Sequence, residues 1–318
     1  MLCSTTSSRA RAMRGSRRAF TVPLALALLA LGVPDSAAAQ KPLRSLRPAI
    51  EERIARHQGV VGLAIIDLAT GDTLSIRGDE PFPTASVIKV PVLVEVFHQV
   101  ENGRLRLEDP IVMLEVDKRP GSGLLQHLSA PLQITVRDAA FLMIALSDNT
   151  ATNLLIDKVG IRAVGVRMDS LGLPRTKLHS KVFDRASSIA PDSSARWGLG
   201  VTTPNELARL FAMIHRGEAV SPEASKEMLR MLRGQFYTEG IPRYLPGGTS
   251  VAHKTGSINE SRHDCGIVSS REPARDYVLC VLTKENRDTS WRIDNEAHVL
   301  IADLARLVHE GLTGTAAQ

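Results

Sequence analysis

The chain has 318 residues, 43% hydrophobic and 23% charged, with a formal net charge of +5. That length allows a large core, in one compact domain or two interlocked halves, and the ordinary apolar content excludes a disordered or fibrous chain. The charge excess sits mostly in residues 1–39, where Arg9, Arg11, Arg14, Arg17 and Arg18 outweigh Asp35, so the remainder is close to +1 and has no basic patch suited to nucleic acid.

Residues 1–39 read as a signal peptide. The arginines form a basic leader, Thr21 to Val33 is an apolar run too short to span a bilayer comfortably, and Ala37-Ala38-Ala39 offers small residues for cleavage. Ser16 to Phe20 also resembles a twin-arginine export signal. The expectation is a secreted or periplasmic protein with no membrane span after cleavage. Cys3 would leave with the leader. Cys265 and Cys280 remain, on what read as adjacent strands, either as two small buried apolar residues or as a disulfide. Without CxxC or HExxH spacing, neither metal nor cofactor is expected.

In chain order, residues 43–57 have helical periodicity. Val61 to Asp67 reads as a buried strand, 69–72 as a turn, and Thr73 to Arg77 as a second strand, together a hairpin. Pro81 and Pro83 punctuate before Thr84-Ala85-Ser86-Val87-Ile88-Lys89-Val90-Pro91. An apolar run follows, so Ser86 is expected in the first turn of a buried helix, with Pro91 bending that helix just past Lys89. Residues 84 to about 235 are helix-rich, with apolar segments at 136–147 and 150–159. A helix at 204–214 has Thr203 as its cap, and another covers 221–233. Strand patterns return at 250–257, 266–269 and 277–283, the last two joined by a polar turn at Glu272-Pro273, and a helix over 291–311 closes the chain. Both ends thus feed one sheet, divided by a helical insert: residues 40–83 and 236–318 form a sheet part, 84–235 a helical part.

Residues three apart on a helix share a face, so Lys89 can reach the Ser86 hydroxyl. A serine becomes a nucleophile when a base takes its proton, and lysine can act so when burial or a neighbouring cation lowers its pKa. Ser147-Asp148-Asn149 stands between two helical segments, and Lys254-Thr255-Gly256 lies on the first C-terminal strand. Each triplet alone is commonplace. In this order and context they form the signature of class A β-lactamases and penicillin-binding proteins.

The sequence resembles the class A β-lactamases and their penicillin-recognising relatives from Val61 to the last helix, including the wording Ser147 to Leu155 and His253 to Ser257. The resemblance implies an α+β fold: a five-stranded antiparallel sheet flanked by helices, plus an all-helical subdomain. It implies a monomeric serine hydrolase acting on a β-lactam or a D-Ala-D-Ala-type peptide. Ser86 would form the acyl-enzyme, Lys89 take its proton, and Ser147 relay a proton to the leaving nitrogen. Asn149 would bind the substrate's side-chain amide, and Lys254 and Thr255 its carboxylate. The oxyanion would lie between the backbone N–H groups of Ser86 and Ser257, with Gly256 allowing close approach.

One part of the pattern is absent. The family carries a deacylating glutamate on a loop after the serine-aspartate-asparagine triplet, and this chain has no glutamate from Val116 to Asn205. The matching loop text reads as Phe183 to Ser187, with Ser187 or its neighbour in the glutamate's place. Asp184 and Asp192 are substitute bases or, in the plainer reading, partners of Arg185 or Arg196. Glu206 is a base only if the loop extends further. Arg262 and His263 are candidates for a carboxylate-binding cation or, equally, exposed hairpin residues. His253 reads as a strand residue flanking the site. The absent glutamate keeps two alternatives open: a D,D-peptidase or esterase, and a slow-turnover β-lactam-binding protein.

Overall fold

A computed structural model describes residues 42–271 and 273–314; the signal peptide expected at 1–39 lies outside them. The central sheet is antiparallel and ordered β2-β1-β10-β9-β8. Its strands are β1 (Val60–Asp67), β2 (Thr73–Ile76), β8 (Ser250–Ile258), β9 (Ser261–Arg271) and β10 (Ala274–Lys284). Shorter strands pair away from it. β3 (Phe82–Pro83) and β6 (Lys177–Leu178) flank β7 (Gly200–Thr202), and β4 (Pro110–Met113) pairs with β5 (Leu132–Thr135).

Helices cover both faces, as the α+β reading expects. One face carries α1 (Arg47–Ala55) and α9 (Glu296–Thr313). The other carries α2 (Lys89–Glu101), α3 (Val136–Ala145), α4 (Asn149–Val159), α5 (Ile161–Ser170), α6 (Pro191–Trp197), α7 (Pro204–Arg216) and α8 (Pro222–Arg233). β10 shows why the strands are continuously apolar. Val278, Cys280 and Leu282 enter the core under α2 and α7, while Tyr277, Leu279 and Val281 enter the core under α9. Alternation places successive residues on opposite faces, and here both faces are buried.

Several boundaries differ from expectation, each for a local reason. β9 begins at Ser261, because Arg262, His263 and Asp264 are buried strand residues with internal partners. The last helix begins at Glu296, because the Asn295 side chain caps it by accepting from the Ala297 amide at 3.0 Å. Thr203 caps α7 as its position suggested, accepting from the Glu206 amide at 3.2 Å. Pro91 does not bend the helix interior: α2 starts at Lys89, so the proline occupies the first turn, where backbone donors lack helical acceptors anyway. Cys265 and Cys280 face each other across β9 and β10 and are joined as a disulfide rather than left as free thiols.

Candidate active site

A 3-10 turn, Ala85–Ile88, carries Ser86 and runs directly into α2, placing Lys89 at that helix's first position. The turn is entered through Ala85 in the left-handed region, at φ +42°, a conformation that costs a non-glycine residue roughly 1–3 kcal/mol. β8 presses against it. A Cβ on Gly256 would lie 3.0 Å from both the Ser86 and Val87 nitrogens and 3.1 Å from the Thr84 oxygen, so any side chain there would press on the backbone of the serine turn. The edge of β8 and the serine turn are thereby brought side by side.

Ser147 also has a left-handed backbone, at φ +53°, just before α4. Asp148 fixes this corner. Its buried carboxylate accepts from the Ala151 amide at 2.9 Å as the helix cap, and from the Leu124 and Leu125 amides at 2.7 and 2.9 Å. Lys89 Nζ donates to the Ser147 carbonyl at 2.6 Å, the Ser147 hydroxyl at 3.1 Å and the Asn149 carboxamide oxygen at 2.8 Å.

Ser86, Ser147, Asn149, Thr255, Gly256 and Ser257 line one cleft of about 820 Å³. Lys89 and Lys254, both fully buried, lie behind that surface. Burial is the main force lowering the Lys89 pKa well below the ordinary lysine value. The Lys254 charge lowers it further, and Asp148 opposes the shift. Burial also brings Lys254 down to about 7, against the opposing field of Asp264. The Lys254 ammonium donates to the Thr255 carbonyl at 2.8 Å. The Lys254 charge thus works with burial against protonation of Lys89.

The loop after α5 departs from expectation. Asn153, one turn beyond Asn149 on α4, accepts from the Val182 amide at 2.8 Å and donates to the Val182 carbonyl at 3.0 Å. Val182 is therefore the clamped residue that faces the cleft. Ser187 instead closes its own turn, its hydroxyl accepting from the Lys181 amide at 2.7 Å and donating to the Asp184 carbonyl at 2.6 Å. Asp184 accepts from the Ser187 amide at 3.3 Å and lies 4.0 Å from Lys181, not against Arg185. Asp192 is exposed at the start of α6, and Arg196 stacks on Trp197, 4.6 Å from the ring centre. Glu206 is buried away from the cleft, accepting from the Arg175 amide at 2.9 Å and the Thr176 hydroxyl at 2.7 Å.

Arg262 and His263 are not exposed hairpin residues. Arg262 is fully buried, donates to the carbonyls of Ile258, Ser261 and Ser290, and stacks on Trp291 at 4.6 Å. His263 lines the cleft, but burial pushes its pKa down to about 4, and its Nδ1 accepts from the Thr283 amide at 3.1 Å. His263 is thus pushed toward the neutral imidazole, and Arg262 spends its bonds on hairpin carbonyls, with its Nε left unpartnered among the described residues, while Lys254 lies fully buried beside Thr255. His253 pairs with Asp264 at 2.8 Å in the layer under α9. The residues missed in the sequence were Asn153, Val182 and Phe183. Asn153 carried a signal, since it repeats Asn149 at helical spacing.

Comparisons with known proteins bear on the chain as a whole. The profile of the Beta-lactamase enzyme family matches residues 45–312. A β-lactamase of Rhodobacter capsulatus is 26% identical over 88% of this chain and 92% of its own length. The extended-spectrum β-lactamase PER-1 of Pseudomonas aeruginosa is 27% identical over 86% and 88%. Among solved structures, a β-lactamase from Sphaerobacter thermophilus superposes with a TM-score of 0.75 at 32% identity, covering 86% of this chain and 98% of its own. A mutant of PBP-A, solved as an acyl-enzyme complex with penicillin G, gives 0.76 at 29% identity over 87% and 99%. With this match over most of its length, the chain belongs to the β-lactamase enzyme family, as a serine β-lactamase-type hydrolase of class A.

Proposed function

We propose that this chain opens β-lactams by acylating Ser86. The observation that carries the reading is Lys89: buried, its pKa lowered, and hydrogen-bonded to Ser147 and Asn149 behind the cleft that Ser86 lines. Neutral Lys89 takes the Ser86 proton as Oγ attacks the lactam carbonyl. The oxyanion is held by the N–H groups of Ser86 and Ser257, and loss of one such donor typically costs about 3–4 kcal/mol of transition-state stabilisation. The C–N bond then breaks, and the ring nitrogen takes a proton through the Ser147 hydroxyl, which Lys89 replenishes. Thr255 and Ser257 orient the substrate carboxylate, with the Lys254 charge behind them.

Deacylation needs water to attack the same carbonyl while a base takes a proton from it. Val182 is clamped toward the cleft where a carboxylate would serve, so the base left is Lys89 and the acyl-enzyme is long-lived. The same residue favours a second reading, a D,D-peptidase acting on cell-wall peptides, since such an enzyme acylates the same serine. Export by the 1–39 segment into the periplasm completes the proposal.

Nitrocefin and a fluorescent penicillin test it. Ser86 in the wild type takes a lasting fluorescent label with slow colour change, and Ser86→Ala takes none. An unlabelled wild type that also leaves nitrocefin intact sinks the assignment. Release of D-alanine from an acyl-D-Ala-D-Ala peptide selects the second reading.

A further inference from the structure

Phe183 projects from the clamped loop in a conformation that a bulky side chain rarely adopts, at φ +54°. Its side chain is 69% exposed, so burial does not offset that backbone. The loop holds it from both sides. Val182 is gripped by Asn153, the Asp184 amide donates to the Lys181 carbonyl at 3.3 Å, and Lys181 Nζ is tied to Asp157 at 2.9 Å. A strained, exposed aromatic held by its surroundings marks a place where the ring itself is used.

Gly121 locates the ring. A Cβ there would lie 3.4 Å from Phe183 Cε2 and 3.0 Å from Asn149 Nδ2, so both groups flank the same point beside the Gly121 backbone. Phe183, Asn149 and Ser86 line the same cleft, together with Val182, Leu199 and Tyr237. An amide side chain of a substrate seated at Asn149 therefore extends its acyl substituent toward the Phe183 face. An aryl group gains there by stacking, and a substrate without an acyl substituent has nothing to place there.

We propose that Phe183 is a specificity-determining residue that selects β-lactams bearing an aryl group on the amide side chain. This rests on the acylation of Ser86 proposed above, and the test separates the two. The rate of Ser86 acylation is followed by intact-protein mass spectrometry with benzylpenicillin and with 6-aminopenicillanic acid, which lacks the acyl group. Phe183→Gly removes the ring and suits the left-handed backbone, so it keeps the fold. It lowers the benzylpenicillin rate roughly 2- to 10-fold, the range of one aromatic contact, and leaves the 6-aminopenicillanic acid rate unchanged. Phe183→Tyr keeps the wild-type ratio. An unchanged ratio in Phe183→Gly overturns the inference while leaving acylation intact. A wild type that neither compound acylates overturns acylation and the inference with it.

Discussion

Lys89 Nζ donates to the Asn149 carboxamide oxygen at 2.8 Å, and Asn149 Nδ2 donates in turn to the Pro120 carbonyl at 2.8 Å. Asn149 thus positions the buried lysine as well as facing the cleft, a wider part than the substrate contact expected from its triplet. Asn149→Asp places an anion against Lys89, and an anion favours the ammonium form. The neutral fraction falls at any given pH, so the acid limb of the acylation rate moves to higher pH. A pH profile of Ser86 labelling checks this; an unmoved limb contradicts the assignment of Lys89 as base.

Lys254 gives a second pH signature, in stability. With its folded value near 7 and its ordinary value at 10.5, the unfolded chain binds a proton that the folded chain lacks throughout that window. The Lys254 contribution to stability therefore rises with pH from about 7 to 10.5. Lys254→Met flattens this part of the curve, read as the urea midpoint against pH. The same variant removes a cation that lowers the Lys89 pKa, so its acylation limb shifts to higher pH.

Val182→Glu tests the proposed cause of slow release. A carboxylate at the position clamped by Asn153 can take a proton from water, and general-base catalysis of this kind is worth about 10²- to 10⁴-fold. The label on Ser86 is expected to clear faster by at least the lower figure. Val182→Gln, of similar shape without the base, is expected to clear at the wild-type rate. Equal acceleration by both variants would point to loosened packing instead.

Gly256→Ala should damage the site through geometry. The added methyl meets backbone atoms of Thr84, Ser86 and Val87, none of which is a flexible chain end. The turn or the strand must give by a few tenths of an ångström, which displaces both proposed oxyanion donors. Acylation is expected to fall about 10²- to 10³-fold, with a lowered Tm in a thermal melt.

Glu206→Ala separates a structural acid from a catalytic one. It leaves the Arg175 amide without its acceptor and the buried Thr176 hydroxyl with only Thr202 for a partner, and a lost acceptor of this kind costs up to about 1–3 kcal/mol. Denaturant titration should record that loss, while clearance of the Ser86 label stays at the wild-type rate. Altered clearance would return Glu206 to the list of bases.

The sheet and the motif-bearing elements were legible because burial writes itself into sequence. Val278 to Leu282 is apolar on both faces, and Thr203 with Pro204 announces a helix start. The cleft loop was not legible, because residues 181 and 182 are held by side chains distant in sequence: Asn153 on Val182, and Asp157 on Lys181. The sequence alone puts Ser187 or its neighbour in the glutamate's place, whereas the residue held by Asn153 is Val182. The burial of Arg262 and His263 is not legible, because charge normally signals solvent and leaves the exposed-hairpin reading open. Here carbonyls at the hairpin end, the Trp291 ring and the Thr283 amide replace water.

The pairing of β1 with β10 has a consequence for how the molecule comes into being. Val60 pairs with Lys284, so the first strand synthesised waits for the last before its inner edge is covered. Contacts of such sequence separation form slowly, since a long loop must close first. The serine turn likewise meets β8 only after the intervening helices have been made. A ribosome-bound chain ending before Lys284 therefore has no completed cleft, however well its helices form. Activity arrives all at once, when the C-terminal strands dock.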